Sequence, residues 1–344
     1  MSLTDRSPSM PPSQWMMPEE WRAHRRTWMA FGAAERGWTV DLLPRIREDV
    51  ARIATTIARF EPVSMLVRPE EFDLARALTG PEVALVPAEM DDLWLRDSGP
   101  VFVEADGRRA AVDFNFNGWG DKQEHREDSR LARLVGERTG AEVLSTELVM
   151  EGGGIEVDGA GTAIITESCV LNDNRNPGWL REDVEAELAR LLGISKVIWL
   201  PGIAGYDITD GHTDLYARFA EPGVVVAGRE DDIDSYDYDV TRRHLTVLQD
   251  ATDAAGRPLR VEVIPGPRQL RADFADDEFA ASYLNFYLCN GGVIAPEFGD
   301  DKADATAKAA LAQLFPDREV VQIDIDAVAA GGGGIHCTTQ QEPA

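Results

Sequence analysis

The stretch EGGGIEVDGAGTAIITE, residues 151–167, is the clearest guide to the fold of this chain. Two short runs rich in apolar and β-branched residues flank Asp158-Gly159, a pair that favours the tight turn of a β-hairpin. The same pattern recurs in LYARFAEPGVVVAG (215–228) and in SYLNFYLCNGGVIAP (282–296). We therefore predict sheets that contain antiparallel hairpins.

Helix-like segments alternate with strand-like runs along the chain. Apolar residues recur at three- and four-residue steps, the helical period, in segments 40–60, 70–79, 126–138, 180–192, 238–254 and 302–314. Runs rich in β-branched residues occur at 63–67, 82–88, 109–116, 196–202, 223–228, 259–266, 291–296 and 319–325. This interleaving predicts an α/β fold with mixed sheets. No G-x-G-x-x-G follows a strand-like run, so a doubly wound dinucleotide-binding fold fits poorly.

A polar residue that is capable of chemistry accompanies each hairpin-like unit. These residues are Asp97, Glu151, His212, Asn285 and Cys337, at intervals of 54, 61, 73 and 52 residues. A period of this size suggests a cyclic array of supersecondary units, and in a propeller the strand starts converge on the central axis. Five such residues would then form one site. The alternative is that unequal intervals and dissimilar sequences indicate no true repeat.

The balance of charge excludes several classes of partner. The chain has 61 acidic and 34 basic residues among 344, a formal net charge of −27. Such a polyanion repels nucleic acid phosphates and anionic membrane surfaces and attracts cations. We therefore expect neither nucleic acid nor a membrane as a partner, although many proteins are acidic only for solubility.

The cysteines and the N-terminus indicate a cytoplasmic protein. Three cysteines without a C-x-x-C pair argue against a disulfide framework and favour a reducing compartment. We find neither a signal peptide nor an apolar run of membrane-spanning length. Residues 1–13 are rich in Ser, Pro and Met, which predicts a flexible arm, and no linker divides 14–344, which we interpret as one domain.

Cys337 is the best candidate nucleophile. It lies in GGGGIHCTTQQEP (331–343), where glycines allow unusual backbone conformations and the neighbouring His and Thr residues make a polar setting. A thiolate is a strong nucleophile when a nearby positive charge lowers its pKa. The alternative is an incidental cysteine in a glycine-rich tail. Cys169 and Cys289 lie in apolar runs and are interpreted as core residues.

His212 and Asp214 form the best candidate proton-transfer pair. In DGHTD (210–214) they are two residues apart, so on a strand they would point to the same side. The alternative is a histidine in a polar turn. His336 alternates with Cys337, and we expect it to face away from the site.

Carboxylates and tryptophans complete the candidate set. Asp97 in WLRDSGP (94–100) and Glu151 before three glycines can each be presented by unusual backbone, or each can simply belong to a turn. Trp94 and Trp119 are candidate contacts for a planar cation, although packing in the core is the commoner fate of tryptophan.

This combination suits a guanidinium better than a peptide carbonyl. Carboxylates would repel a developing oxyanion, whereas they bind a planar guanidinium bidentately. Asp97 and Asp214 would hold the cation, Cys337 would attack its carbon, and His212 would protonate the leaving ammonia and then activate water. A zinc site built from His212, Asp214, His336 and Cys337 is the rival reading, but its spacing matches no common zinc motif.

A resemblance emerges from the motifs in order. They are MPPSQWMMPEEWRAHRRTWMAFG (10–32), WLRDSGP (94–100), FNFNGWG (114–120), EGGGIEVDGAGT (151–162), NRNP (174–177), GHTD (211–214), SYLNFYL (282–288) and GGGGIHCTTQQEP (331–343). This series resembles the agmatine deiminase family, relatives of bacterial peptidyl-arginine deiminase, over about residues 15 to 343. The resemblance implies a five-bladed, pseudo-symmetric α/β-propeller of repeated ββαβ-type units, the pentein fold.

The same resemblance implies roles for individual residues. Cys337 matches the nucleophile that forms an amidino-cysteine intermediate, and His212 matches the general acid and base. Asp97 and Asp214 match the carboxylates that hold the guanidinium, Asn285 matches a polar position near the site, and Glu151 matches the acidic residue of the E-G-G motif. No metal or organic cofactor is implied.

The chain departs from the family pattern in two places. Gly334 and Glu342 stand where the last motif usually has Asn and Gln. The loop after FNFNGWG continues as DKQEHREDS, whereas the family tends to have a longer loop there, with an aromatic and acidic stretch that helps to define the far end of the substrate. Agmatine, giving N-carbamoylputrescine on the route to putrescine and polyamines, is the leading substrate. Free arginine, peptidyl-arginine or another guanidino compound is the alternative, followed by an inactive guanidine-binding protein or a zinc hydrolase. A homo-oligomer remains open.

Overall fold

The computed structural model of the chain describes residues 15–32, 42–271, 273 and 279–344. The N-terminal arm predicted for residues 1–13 lies outside the described residues. Within them, sixteen strands form five separate sheets, and each sheet mixes parallel and antiparallel pairs.

Four of the sheets repeat one unit. Each begins with a hairpin, continues through a helix, and ends in a strand parallel to the second strand of the hairpin. Their strands are β4 (Val101–Ala105), β5 (Arg108–Asp113) and β6 (Glu142–Ser145); β7 (Ile155–Val157), β8 (Thr162–Thr166) and β9 (Lys196–Leu200); β10 (Ala217–Glu221), β11 (Val224–Arg229) and β12 (Arg260–Pro265); and β13 (Tyr287–Cys289), β14 (Gly292–Glu297) and β15 (Glu319–Asp324).

The fifth sheet joins the two ends of the chain. Its strands are β1 (His24–Ala30), β2 (Val63–Val67), β3 (Val83–Pro87) and β16 (Thr339–Pro343). β16 pairs antiparallel with β1, and β1 pairs parallel with β2, so the C-terminal strand supplies the hairpin partner that the N-terminal unit lacks. The ββαβ pattern therefore occurs in all five sheets.

The helices connect the strands. They are α1 (Leu43–Ile57), α2 (Phe72–Thr79), α3 (Leu95–Ser98), α4 (Gly118–Asp121), α5 (Leu131–Thr139), α6 (Glu167–Val170), α7 (Arg181–Leu192), α8 (Asp237–Asp250), α9 (Asp301–Leu314) and α10 (Asp326–Ala329). The longer ones are amphipathic. In α1, Ile46, Val50, Ile53 and Ile57 lie on one face and are fully buried, which is why the helix packs onto its sheet.

The sequence predicted this architecture well. Each helix expected from periodicity is present with its ends within a few residues, and the three predicted hairpins occur as β7–β8, β10–β11 and β13–β14. Gly193 ends α7 in the left-handed conformation, with φ of +70°. The sheets are mixed, as expected. Among the described residues, no helix combines the length and apolar character needed to cross a bilayer.

Candidate active site

The five polar residues singled out by their spacing all lie just ahead of a hairpin. Asp97, Glu151, His212, Asn285 and Cys337 each precede the first strand of a unit by two to five residues. The five residues lie outside the strands, Asp97 in the short helix α3 and the others in turns or loops. His212 caps a 3-10 turn, Thr213–Leu215, so the argument that alternation on a strand aligns it with Asp214 was wrong.

Gly153 marks the point where two of these residues, Asp97 and His212, meet Asp214. A Cβ atom on Gly153 would lie 2.7 Å from Nδ1 of His212, 2.8 Å from Oδ1 of Asp97 and 3.2 Å from Oδ2 of Asp214. The three side chains therefore converge on one spot, and only a glycine leaves that spot open. The three glycines after Glu151 form a 3-10 turn that brings the backbone into this position.

Cys337 lies beside the same group. Its Sγ atom is 3.5 Å from Oδ2 of Asp214 and accepts a hydrogen bond from Nδ2 of Asn285 at 3.2 Å, while its backbone N–H donates to Oδ1 of Asn285. Burial, together with the carboxylates of Asp214 and Asp97, raises the pKa of the Cys337 thiol well above its usual value. Gly334 packs against Asn285, since a Cβ atom there would lie 2.6 Å from Oδ1 of Asn285.

His212 is held between two carboxylates. Its Nε2 atom lies 3.0 Å from Oε2 of Glu151, and its Nδ1 atom lies 3.7 Å from Oδ2 of Asp97. Burial opposes a charge on the imidazole, but Asp97 and the hydrogen bond to Glu151 raise the pKa of His212 well above its usual value. The imidazole can therefore carry a proton at neutral pH, as a general acid requires.

Asp97 is fixed by two donors. The backbone N–H of Gly153 donates to its Oδ1 atom at 3.0 Å, and the indole Nε1 of Trp119 donates to its Oδ2 atom at 3.1 Å. Burial raises the pKa of Asp97 to about 6. Trp119 adopts a positive φ of +57°, which is uncommon for a bulky residue. Trp119 therefore orients Asp97 through a hydrogen bond, a role that the sequence analysis did not predict. Stacking of Trp119 on a cation stays a prediction.

Asp214 contacts His336, a residue that we expected from the sequence to face away from the site. Nδ1 of His336 lies 2.7 Å from Oδ2 of Asp214, so the expectation that His336 faces away from the site was wrong. Burial works in the opposite direction, but His336 lowers the pKa of Asp214. The other oxygen of Asp214, Oδ1, is buried and has no hydrogen-bond partner among the described residues, and the same holds for Nδ1 of His212.

Two residues that the sequence analysis did not assign to the site support Glu151. Nε of Arg175 donates to Oε1 of Glu151 at 3.1 Å, and Sγ of Cys169 donates to its Oε2 atom at 3.4 Å. Burial alone would raise the pKa of Glu151, but His212 and Arg175 outweigh this effect and lower the pKa to about 2. Arg175 belongs to the NRNP motif that carried part of the resemblance, and its position there was the available signal.

Trp94 packs between the segment that carries Asp97 and the segment that carries Cys337. It begins the turn that carries Asp97, its carbonyl accepts the N–H of Asp97 at 3.1 Å, and its side chain is buried. Its ring packs on the glycine-rich segment before Cys337, because a Cβ atom on Gly333 would lie 2.4 Å from the ring. The glycines at this point therefore let the backbone lie against an aromatic face.

The possible metal ligands form a different group from the one considered from sequence. Among the described residues, Glu151, Cys169 and His212 offer ligand atoms within 4.8 Å of one another. These atoms already share hydrogen bonds, and the guanidinium of Arg175 balances the charge of Glu151. Burial raises the pKa of Cys169 to about 11, so the thiol is neutral here and donates its proton to Glu151. The donor set therefore does not fit a resident metal.

The site is suited to a small planar cation. Two carboxylates, Asp97 and Asp214, lie close to Gly153, and one buried oxygen of Asp214 has no hydrogen-bond partner among the described residues. A sulfur nucleophile, Cys337, and a protonated imidazole, His212, lie against the same carboxylates. Such a site can bind a guanidinium, attack its central carbon and supply a proton to a leaving nitrogen.

Known proteins share this chain's sequence and fold over nearly its whole length. The sequence profile of the Porphyromonas-type peptidyl-arginine deiminase family matches residues 16–343. A Streptomyces coelicolor relative is 46% identical over 338 residues, which cover 95% of this chain and 98% of the relative. The agmatine deiminase of Stutzerimonas stutzeri is 40% identical over 352 residues and 95% of each chain.

A solved structure agrees with the sequence comparison. The agmatine deiminase of Enterococcus faecalis is 32% identical to this chain and superimposes with a TM-score of 0.91 over 96% of both chains. Family profile, relatives and fold therefore coincide on the region that carries the site, and this chain belongs to the Porphyromonas-type peptidyl-arginine deiminase family.

Proposed function

We propose that this chain is an agmatine deiminase, a hydrolase that acts on the C–N bond of a linear amidine. It converts agmatine and water into N-carbamoylputrescine and ammonia, a reaction that leads toward putrescine and the polyamines. The observation that carries the proposal is the convergence of Asp97, His212 and Asp214 on Gly153 with Cys337 beside them. The names of the Stutzerimonas and Enterococcus relatives support agmatine as the substrate.

Binding places the guanidinium between Asp97 and Asp214. The carboxylates accept its N–H groups, and the buried, unpartnered Oδ1 atom of Asp214 gains a donor. Without a cation, these same carboxylates suppress ionisation of Cys337. A bound guanidinium offsets their charge, so the substrate itself favours the thiolate at the moment when it is needed.

The first chemical step breaks a C–N bond. The Cys337 thiolate attacks the guanidinium carbon and forms a C–S bond, and the tetrahedral intermediate collapses as one nitrogen takes a proton from His212 and leaves as ammonia. The product of this step is an amidino-cysteine. Glu151 accepts the other N–H of His212 and keeps the ring in place while its proton is transferred.

The second step regenerates the enzyme. His212, now neutral, takes a proton from water, and the resulting hydroxide adds to the amidino carbon. Collapse of this intermediate expels the Cys337 thiolate and releases the hydroxyl proton, which converts the departed ammonia into ammonium. The urea group of N-carbamoylputrescine remains. The sum is one guanidinium and one water consumed, and one urea and one ammonium formed, without a metal or an organic cofactor.

The alternative is deimination of another guanidine, namely free arginine, peptidyl-arginine or a related compound. The name of the family profile is the observation in its favour. Burial argues for a small ligand, because Glu151, His212, Asp214 and Asn285 are each at most 1% exposed. A guanidino group at the end of a short chain reaches such a site more easily than one on a folded protein.

We also propose that the five units close into a propeller with the site on its central axis. The recurrence of the ββαβ pattern in all five sheets, and the pairing of β16 with β1, support this arrangement. The partner of the protein is then a small cationic guanidine, bound in the cytoplasm, with neither nucleic acid nor a membrane involved. Self-association would be compatible with this site.

Ammonia release tests the proposal. Agmatine, free arginine and N- and C-blocked arginine are compared with wild-type protein and with Cys337→Ser. We expect release from agmatine by the wild type alone, together with N-carbamoylputrescine identified by mass spectrometry. Activity that survives Cys337→Ser would refute the mechanism, and activity only on arginine or its blocked form would refute the substrate.

A further inference from the structure

His336 lies between two buried carboxylates. Its Nδ1 atom is 2.7 Å from Oδ2 of Asp214, and its Nε2 atom is 2.7 Å from Oε2 of Glu20. Ionised carboxylate oxygens only accept hydrogen bonds, so both ring nitrogens must donate. An imidazole that donates through both nitrogens is an imidazolium, and His336 therefore carries a positive charge behind Asp214.

Glu20 is held in the ionised form that this arrangement needs. Nη2 of Arg218 lies 2.9 Å from its Oε1 atom, Nη2 of Arg96 lies 3.4 Å from its Oε2 atom, and the backbone N–H of Leu288 donates to Oε1 at 2.9 Å. Burial opposes ionisation, but Arg218 and His336 lower the pKa of Glu20 well below its usual value. His336 thus has an anionic partner on the side away from Cys337.

The remaining charges around His336 balance among themselves. Nε of Arg218 donates to Oε2 of Glu156 at 2.8 Å, and Nε of Arg96 donates to the carbonyl of His336 at 3.3 Å. Two arginines therefore face two glutamates on this side. Among the residues that the structure describes, Asp214 is the carboxylate that His336 contacts on the side of the site, so the charge of His336 acts on Asp214 as well as on Glu20.

The contact matters because one oxygen of Asp214 serves two neighbours. Oδ2 of Asp214 lies 2.7 Å from His336 and 3.5 Å from Sγ of Cys337, while Oδ1 has no partner among the described residues. An uncompensated carboxylate beside a thiol opposes the thiolate. A carboxylate without an anchor can also rotate its free oxygen away from the substrate.

We propose that His336 is a positioning residue for the reaction, which fixes Asp214 and offsets part of its charge, so that Asp214 can hold a guanidinium while it suppresses the Cys337 thiolate less than an uncompensated carboxylate would. Glu20, from the N-terminal segment, holds the other ring nitrogen of His336 and so fixes the imidazolium in place. The inference rests on the proposed function for the identity of the cation, but its effect on the thiol needs no substrate.

Two substitutions separate charge from orientation. An Asn side chain can place an N–H near the Nδ1 position of histidine, and a Gln side chain can place one near Nε2. His336→Asn keeps a donor toward Asp214 and loses the charge, whereas His336→Gln loses that donor as well. His244→Gln is the matched control, because His244 is buried in α8 and its Nε2 atom accepts a hydrogen bond from the N–H of Gly202.

The first measurement is the pH dependence of Cys337 alkylation by iodoacetamide without substrate. We expect both His336 variants to shift the profile about one unit to higher pH, and His244→Gln to leave it unchanged. The second is steady-state kinetics, in which His336→Gln raises KM for agmatine about tenfold more than His336→Asn. A profile for His336→Asn that superimposes on the wild type, or equal KM values for the two variants, would overturn the proposal.

A measurement on the unaltered protein covers the case in which the variants do not fold. The protein has five histidines, so selective ¹⁵N labelling gives few signals. We expect both nitrogens of His336 to be protonated in the resting protein, and a neutral tautomer there would contradict the inference. If the wild-type protein does not turn over agmatine, the proposed function is refuted. The alkylation of Cys337 and the protonation of His336 are measured without substrate, so they still test the inference.

Discussion

Glu151 and His212, which are 61 positions apart in the sequence, are joined by a hydrogen bond of 3.0 Å between Oε2 and Nε2. Both side chains are at most 1% exposed, so water does not compete for this contact. The pair belongs to neighbouring repeats, which means that the proton donor is assembled only when two units pack together.

Removing the charge of Glu151 tests the role of this pair. Glu151→Gln keeps the shape but weakens the hold on the imidazolium, so the pKa of His212 falls and the protonated form is lost at lower pH. We expect kcat to fall about 100-fold or more and the alkaline limb of its pH profile to move to lower pH. Steady-state rates between pH 6 and 10 provide the measurement. An unchanged alkaline limb would show that Glu151 does not act through His212.

Gly153 and Gly154 offer a matched pair of substitutions. A Cβ atom on Gly153 comes within 3.0 Å of His212 and Asp97, whereas one on Gly154 finds its nearest neighbour, Sγ of Cys169, at an ordinary 3.6 Å. We expect Gly153→Ala to lower kcat/KM about 100-fold and Gly154→Ala to remain within a few-fold of wild type. Similar losses in both variants would indicate a general disturbance of the turn and not a filled substrate position.

The fold was largely predictable because its units are local. Each hairpin turn, such as Asp158-Gly159, and each amphipathic helix, such as α1, leaves its own short-range signal. The pairing of β16 with β1 had no such signal, since it joins residues more than 300 positions apart. Sequence spacing suggested the repeat, and only the structure shows that the two termini share a sheet.

The sequence predicted the carboxylates, the thiol and the imidazole of the site. It did not predict the residues that hold these groups in position. Cys337 and His212 were indicated by unusual settings for reactive residue types. His336 was misplaced because alternation on a strand was assumed, whereas the chain turns between residues 335 and 339 and bonds its backbone locally. Arg175 and Glu20 lie in motifs that carried the resemblance, but they act through contacts with Glu151 and His336 in other parts of the chain, so no local pattern assigned them to the site.

Arg175 is expected to act through Glu151. Its guanidinium joins Glu151 to Asp210 and to the carbonyl of Thr209, next to the turn that carries His212. Arg175→Lys keeps the charge but cannot reproduce this fork, so we expect kcat to fall about tenfold with little change in KM.

The control for Arg175 is an exposed arginine with a similar partner. Arg190 pairs with Glu187 on the surface of α7, so Arg190→Lys should leave kcat unchanged. Thermal unfolding of both variants shows whether stability explains the difference. A loss of activity in Arg175→Lys that follows only the unfolded fraction would make Arg175 purely structural.

The net charge of −27 predicts a dependence on salt. Agmatine carries two positive charges, and an anionic surface raises its local concentration, an effect that ions screen. Raising the sodium chloride concentration from low to high should lower kcat/KM about threefold and leave kcat nearly constant. Potassium and choline chloride at the same ionic strength serve as controls, and a kcat/KM value that does not change with ionic strength would exclude steering.

Asp97 should set the acid limb of substrate binding. Burial raises the pKa of Asp97 to about 6, so below that pH the free enzyme carries a neutral carboxylic acid where the guanidinium needs an anion. A bound cation favours the ionised form. We therefore expect kcat/KM, which reports the free enzyme, to fall below about pH 6, and kcat to fall only at lower pH.

Direct binding provides the decisive form of this test. In the inactive Cys337→Ser protein, calorimetry should show agmatine affinity falling about tenfold between pH 7 and pH 5, as one carboxylate takes up a proton. Burial also raises the pKa of Asp49 to about 6, and Asp49 interacts with the backbone N–H of Ala327 away from the site. Asp49→Asn in the same background should therefore leave the dependence intact. An affinity that stays constant from pH 7 to pH 5 would remove Asp97 from the guanidinium site, because no ionised carboxylate with so high a pKa could hold the cation without showing its titration.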